Sequence, residues 1–114
     1  MRIAQMLIAA VVATATSSAA LAQPTVYGGG NVSCGTYSTY KVQDLLMYTA
    51  STTWTMGYLT AMSQQLQIDL LKGTDLNGAI AWLDNYCAQN PIELYVTANY
   101  QLVLFLGRRQ KNSN

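Results

Sequence analysis

The most reactive side chains in the sequence are two cysteines, Cys34 and Cys87, and the chain contains no histidine. A thiol pair that does redox chemistry or binds a metal has close spacing, as in Cys-x-x-Cys, or histidines nearby. Cys34 and Cys87 instead enclose about 50 residues, and a bridge that closes such a loop contributes on the order of 4 kcal/mol to stability. The pair therefore predicts a structural disulfide, with no metal site and no cofactor.

The sequence lacks the residues that nucleophilic or acid-base catalysis needs. Acyl transfer requires a nucleophile and a base, and without histidine the bases left are Lys41 and Lys72, both expected at polar loop or helix-end positions. Asp84 and Glu93 are the carboxylate pair that a glycosidase could use. Helix capping accounts for Glu93, however, and an exposed helix face accounts for Asp84. The sequence thus predicts no catalytic residue and a protein that is not an enzyme.

Aromatic residues are the more unusual feature, with eight tyrosines and two tryptophans in a chain that is 10% charged. Tyr and Trp are favoured where a side chain is buried at an interface but needs a hydrogen bond at its tip. Trp54 with Tyr58, and Trp82 with Tyr86, are spaced four apart. These four residues are the predicted binding residues for a protein partner. The alternative, that they are partly buried residues at the edge of the core, stays open.

The first 22 residues have the pattern of a secretory signal peptide. Arg2 supplies the positive start, an apolar run follows from Ile3 to Ala13, and Ala20-Leu21-Ala22 ends the segment with small-x-small spacing. The apolar run is shorter than the roughly 20 residues of a membrane-spanning helix. The pattern predicts cleavage after Ala22, export to the periplasm and no stable membrane insertion of the mature protein.

Removal of residues 1–22 leaves a chain of single-domain size. It takes away one of the six basic residues, so that basic and acidic residues become equal in number. A neutral chain without a broad basic face is not expected to bind nucleic acid. The glycines at 28–30 and the basic residues at the end suggest a flexible lead-in at 23–32, a helical domain at 33–107 and a basic tail at 108–114.

Helical spacing dominates the domain. A short helix is expected over 35–41 with Ser33 as its cap, and a long one over 45–66. The stripe of the long helix that is predicted to face the core comprises Met47, Ala50, Trp54, Tyr58, Ala61 and Leu66. It is widened by Leu46, Met56, Leu59 and Met62. A third helix is expected to begin after Thr74 or Asp75 and to place Leu76, Ile80, Leu83 and Cys87 on one face.

The fourth helix is predicted to begin at Asn90-Pro91-Ile92-Glu93, which combines a capping residue, a proline and a glutamate at favourable positions. Gly107, followed by basic residues, is the expected end of this helix. Together the patterns predict an all-α fold: a small four-helix bundle with three long helices and one short one. The helices are expected to be antiparallel or orthogonal neighbours, closed by one disulfide.

Two short segments carry a resemblance to a known family. Ser33-Cys34-Gly35-Thr36-Tyr37 and the corner Asp84-Asn85-Tyr86-Cys87-Ala88-Gln89-Asn90-Pro91 resemble small periplasmic acid-stress proteins of the HdeA/HdeB type. The resemblance implies an all-helical fold with a Cys34–Cys87 bridge. It also implies a homodimer at neutral pH that loosens in acid and shields unfolded client proteins with its apolar surface.

A second resemblance is to Rap/Tai-type immunity proteins of type VI secretion. It rests on Trp54-Thr55-Met56-Gly57-Tyr58-Leu59 and on Asn90-Pro91 before the last helix. This resemblance implies that an aromatic groove and the loop from Asp69 to Asn77 bind a secreted toxin and block its active site. Both resemblances imply a binding protein without catalytic activity.

Overall fold

The computed structural model describes residues 25–113, and within this range the chain forms four α-helices and one short 3₁₀ turn, with no strand. The helices are α1 (Cys34–Gln43), α2 (Leu45–Leu66), α3 (Leu76–Gln89) and α4 (Tyr95–Asn112), and the 3₁₀ turn is Gly28–Gly30. The all-α fold predicted from the sequence is confirmed. The predicted signal peptide lies outside the described residues.

Three of the helices begin at a side chain that caps the backbone. Ser33, Asp44 and Asp75 accept hydrogen bonds from the N–H groups of Thr36, Met47 and Gly78, at 3.0, 3.1 and 2.8 Å. These oxygens satisfy N–H groups that have no partner inside a helix. The predicted cap at Ser33 is confirmed, and of the two candidates for α3 the structure selects Asp75.

The predicted start of the last helix at Asn90 is wrong, because α4 begins at Tyr95. Asn90 instead ends α3, and the turn that follows pairs with the beginning of α1. The carbonyl oxygens of Pro91 and Glu93 accept hydrogen bonds from the N–H groups of Gly35 and Cys34, at 2.8 and 2.7 Å. Residues 91–93 therefore pair with the N–H groups of α1 that Ser33 does not cap. This tertiary contact overrides the local signal for a helix start at Asn90.

The predicted end of this helix at Gly107 is also wrong, since α4 continues to Asn112 and into the segment predicted as a basic tail. Arg109 donates a hydrogen bond to the carbonyl oxygen of Gly73, and Gln110 donates one to the carbonyl oxygen of Asp69. These contacts hold the last turns of α4 against the loop between α2 and α3. A glycine favours a helix end but does not force one when the following turns have partners.

One buried core joins all four helices. Its fully buried side chains include Tyr37 of α1, Leu83 of α3, and Tyr95 and Leu102 of α4. The face that α2 turns to this core differs from the predicted stripe. Of its buried residues, Ser51, Thr55 and Leu59, only Leu59 belongs to that stripe. The other stripe residues are either half-buried, as Trp54, Tyr58 and Met62 are, or exposed, as are Leu46, Met47, Ala50, Met56, Ala61 and Leu66.

The rotation of α2 has a polar cause. The hydroxyl groups of Thr55 and Tyr95 lie 2.5 Å apart and share a hydrogen bond inside the core. Each hydroxyl satisfies the other, so that a threonine can occupy a position that an apolar pattern assigns to the surface. Apolar periodicity alone therefore places the buried face of this helix incorrectly.

The lead-in to the domain packs on α2. Residues 28–30, within the segment predicted as a flexible lead-in, form the 3₁₀ turn. The indole N–H of Trp54 donates a hydrogen bond to the carbonyl oxygen of Tyr27 at 2.6 Å. A Cβ atom added at Gly30 would overlap the Trp54 ring. Glycine is thus required at position 30 for close approach to the indole.

We expect Gly30→Ala to lower the free energy of unfolding by about 1–3 kcal/mol, because the methyl group must displace either the indole or the lead-in. Gly57→Ala is the matched control: Gly57 lies inside α2 with no atom within 4 Å of an added Cβ. This control should gain about 0.5–1 kcal/mol from its higher helix propensity. Urea denaturation measures both effects, and equal stability of the two variants would contradict the packing described for Trp54.

Candidate functional site

The disulfide predicted from the sequence is confirmed. Cys34, the first residue of α1, is bonded to Cys87 near the end of α3, and neither residue is exposed to solvent. Disulfides persist in oxidising compartments and are rare where thiols are kept reduced. The bridge therefore indicates an oxidising, exported environment. Within residues 25–113, none of the helices has the length and apolar character needed to cross a membrane.

A second link between the same helices is a polar cluster around Asp84, which is composed of Tyr37, Lys41, Tyr48 and Asp84 (the Asp84 cluster). The hydroxyl groups of Tyr37 and Tyr48 donate hydrogen bonds to the two carboxylate oxygens, at 2.7 and 3.1 Å. The Lys41 ammonium forms an ion pair with Oδ2 at 2.7 Å. One carboxylate on α3 thus holds α1 and α2 together.

The Asp84 carboxylate is not on an exposed face, contrary to the interpretation from its neighbours in sequence. Its side chain is 14% exposed, whereas that of Lys41 is 51% exposed. An ion pair with one solvated partner contributes about 0–1 kcal/mol. The two tyrosine hydroxyls, which donate to a charged acceptor, are therefore expected to contribute more to stability than the lysine does.

The cluster shifts the pKa values of Lys41, Tyr37 and Tyr48. The hydrogen bond and the charge of Asp84 raise the pKa of Lys41, because both favour the ammonium. Burial raises the pKa of Tyr37 and that of Tyr48, since a phenolate would be desolvated, and the nearby Asp84 carboxylate acts in the same direction. At neutral pH the tyrosines are therefore donors and Lys41 is charged, as the geometry requires.

Replacement of the central carboxylate, Asp84→Asn, is expected to lower the free energy of unfolding by about 1.5–3 kcal/mol. The asparagine amide has no charge to pair with the Lys41 ammonium. Its NH₂ group would also replace one of the two oxygens that accept hydrogen bonds from Tyr37 and Tyr48. Asp69→Asn is the matched control, because the exposed Asp69 carboxylate accepts only a local bond from the N–H of Leu71, at 3.1 Å. Chemical denaturation at neutral pH should separate the two variants, and equal losses would show that the cluster has no special role.

Glu93, the other carboxylate considered for catalysis, has a separate role. It accepts a hydrogen bond from the hydroxyl of Tyr86 at 2.5 Å. Asp84 and Glu93 are thus each engaged by tyrosine hydroxyls of their own. Within residues 25–113, no three His, Cys, Asp or Glu side chains are grouped closely enough to hold a metal ion.

The four aromatic residues predicted as binding residues form two separate pairs. Trp54 and Tyr58 stack with ring centroids 5.3 Å apart, and Trp82 and Tyr86 stack at 5.2 Å. Trp54 is covered by the lead-in, whereas Trp82 and Tyr86 border a shallow cavity of about 210 Å³. Among the ring contacts of the described residues, none joins one pair to the other, so the structure does not unite the four in one groove.

An exposed apolar surface lies elsewhere, at the junction of α1 and α2. Val42, Leu45 and Leu46 are 84%, 74% and 78% exposed, and we call these three residues the apolar corner. Isolated exposed aliphatic residues are common, but three within five positions are a feature that calls for a partner. A signal for the corner exists in the sequence, because Leu45 and Leu46 directly follow the polar pair Gln43-Asp44, and Asp44 caps α2 there.

A larger groove lies between α2 and the loop that precedes α3. Its cavity volume is about 410 Å³. Half of its lining residues are apolar, namely Met56, Leu59, Leu71 and Leu76. The groove includes part of the loop from Asp69 to Asn77 that the Rap/Tai resemblance singled out, although no aromatic side chain lines it.

No protein-family model, curated protein or solved structure that was compared with the chain matches it. The resemblances to HdeA/HdeB-type and to Rap/Tai-type proteins therefore stay predictions. The contacts and surfaces of residues 25–113 are the basis for assigning a function.

Proposed function

We propose that the mature chain is a non-enzymatic periplasmic binding protein that shields unfolded client proteins in acid, as HdeA/HdeB-type proteins do. The observation that supports this function most directly is the apolar corner. Unfolded chains expose apolar side chains, and burying these against Val42, Leu45 and Leu46 gains about 25 cal/mol for each Å² removed from water. Folded proteins have few such side chains exposed, which favours unfolded clients.

The Asp84 cluster is the contact that loosening must break. It joins α1, α2 and α3 through one ion pair and two hydroxyl groups that donate to the same carboxylate. Hydrogen bonds to a charged acceptor are stronger than those to a neutral one. Conditions that weaken this link allow the helices that carry the apolar corner to separate.

Net charge acts in the same direction. With the carboxylates protonated, the basic residues of the chain have no opposing charge, and their mutual repulsion favours a looser state. The disulfide between α1 and α3 is insensitive to acid and limits the opening. The proposed active form is thus a loosened chain that is still closed by its bridge.

Export belongs to the same proposal. A signal peptide cleaved after Ala22 would deliver the mature chain to the periplasm, whose oxidising conditions favour the Cys34–Cys87 bridge. The periplasm also follows the external pH more closely than the cell interior does. Mass spectrometry of the protein from a periplasmic extract tests this part of the proposal: a chain beginning at Gln23 would support it, and an intact chain beginning at Met1 would contradict it.

The shielding function can be tested by light scattering of an acid-labile enzyme brought to about pH 2.5, where its carboxylates are protonated. We expect an equimolar amount of this protein to suppress aggregation at that pH and to have little effect at neutral pH. A variant with Leu45→Ser and Leu46→Ser should lose most of the suppression. Ile92→Ser is the control, since Ile92 is 93% exposed but lies between α3 and α4.

Failure of the wild-type protein to suppress aggregation in acid would reject the shielding function. Equal losses in the Leu45/Leu46 variant and the Ile92 control would keep the function but reject the apolar corner as its site. Far-UV circular dichroism of each variant at neutral pH verifies the fold, because all the substituted side chains are exposed.

The groove beside the loop 69–77 favours immunity to a secreted toxin as the second candidate function. It is concave and mostly apolar, as specific protein-binding pockets are, and Leu59 at its base is buried. This function predicts that a toxin encoded beside the gene binds the chain with nanomolar affinity. Met56→Lys should abolish that binding, whereas substitution of Leu45 should not.

A further inference from the structure

A concave surface lies between the loop that joins α2 to α3 and the last turns of α4. Its cavity volume is about 400 Å³, and the lining residues are Lys72, Gly73, Arg109, Gln110 and Ser113. None of these residues belongs to the Asp84 cluster or to the apolar corner. The proposed function therefore leaves this cavity without a role.

The walls of the cavity are tied together by contacts between α4 and the loop. Arg109 donates a hydrogen bond to the carbonyl oxygen of Gly73 at 3.5 Å, and Gln110 donates one to the carbonyl oxygen of Asp69. These contacts exist only because α4 continues past Gly107. The cavity is therefore formed by the fold before any ligand arrives.

The side chains that line the cavity are mainly hydrogen-bond donors. Lys72 and Arg109 carry positive charge, and Gln110 offers an amide, which has two N–H donors. The Ser113 hydroxyl donates to the carbonyl oxygen of Gln110 at 3.1 Å. No acidic side chain is among the described residues that line the cavity. An anion with several acceptor oxygens satisfies such a set, and arginine matches the geometry of phosphate oxygens in particular.

Cations near the end of α4 have an ordinary explanation, because the carbonyl groups at a helix C-terminus attract positive charge. This explanation covers Arg108, Arg109 and Lys111, which belong to α4. It does not cover Lys72, which lies on the loop and lines the same cavity as Arg109. The convergence of charges from two elements is the feature that points to a ligand.

We propose that this cavity binds a phosphoryl group, with Lys72 and Arg109 as its charged ligands and with the Gln110 amide as a neutral donor. The group can belong to free phosphate or to the headgroup of an anionic phospholipid, since both present the same oxygens. Side chains of the lining are close to the surface, which gives either source access.

The first arm of the test is isothermal titration of the mature protein with sodium phosphate, balanced with chloride to constant ionic strength. Lys72→Gln and Arg109→Gln are each expected to weaken binding by about tenfold or more. Arg108→Gln is the matched control: it removes the same charge from the same helix but does not line the cavity. It should change the affinity less than about twofold, the effect of screened surface charge.

The second arm is co-sedimentation with vesicles of phosphatidylglycerol and phosphatidylcholine, compared with phosphatidylcholine alone. Phosphate binding that depends on Lys72 and Arg109 would support the proposed site and would identify free phosphate as its ligand. Binding only to the phosphatidylglycerol vesicles, if it is also lost in Lys72→Gln and Arg109→Gln, would support the site and would identify a lipid headgroup as its ligand. Absence of binding in both arms, or an equal loss in Arg108→Gln, would overturn the proposal.

Discussion

A chain in which both cysteines are replaced, Cys34→Ala with Cys87→Ala, should be less stable than the wild type by about 4 kcal/mol. The bridge spans a sequence separation of 53 residues, so its loss frees a long loop in the unfolded chain. For a domain of this size each kcal/mol corresponds to about 4–8 °C in the melting temperature. Such a loss is a large part of the total stability of a small domain.

Alanine is the right replacement because both cysteines are fully buried, and a serine hydroxyl would add a desolvation cost of its own. Urea denaturation of the double variant, and of the wild type with and without dithiothreitol, measures the effect. The reduced wild type should unfold near the urea concentration of the variant. Equal midpoints for oxidised and reduced wild type would contradict a stabilising bridge.

A steep loss of stability above about pH 10 is the second large effect that we expect, because the unfolded chain releases tyrosine protons there. Burial raises the pKa of Tyr37 and of Tyr95 above the ordinary range of tyrosine. The folded protein then holds two protons that the unfolded chain has released, and stability falls as the pH rises. Below about pH 10 both states keep these protons, and the contribution is constant.

The limiting slope is about 1.4 kcal/mol per pH unit for Tyr37, and the raised pKa of Tyr95 adds to the loss in the same direction. Lys41 adds to the loss, since its raised pKa makes its contribution disappear as the pH rises through the folded value. Urea midpoints between about pH 9 and pH 11 give the slope. Tyr37→Phe should reduce the slope of stability against pH by the contribution of one tyrosine. A stability that does not change over this pH range would refute the effect.

The sequence predicted most of the fold because the signals involved are local. The bounds of α2 and the caps at Ser33 and Asp75 follow from spacing and capping chemistry within a few residues. The errors occur where distant segments meet. Residues 91–93 pair with the start of α1, and the last turns of α4 bind the loop after α2. Neither contact can be recognised from the residues that are adjacent in sequence.

The candidate site was less accessible to prediction than the fold. Asp84 lies 47 residues from Tyr37 and 36 from Tyr48, and only the packing of three helices brings them to one carboxylate. Its neighbours Trp82 and Tyr86 suggested an exposed face, whereas the side chain is largely covered. By contrast, the apolar corner could have been inferred, since apolar residues on both sides of the cap at Asp44 cannot all face one core.

Acid loosening is the step on which the proposed shielding function depends, and near-UV circular dichroism of the oxidised wild-type protein, followed from pH 7 to about pH 2, tests it most directly. We expect the aromatic signal to disappear as the carboxylates are protonated, while the far-UV signal of the helices is largely kept. An unchanged near-UV spectrum down to about pH 2 would show that the fold does not loosen in acid and would contradict the proposed shielding function.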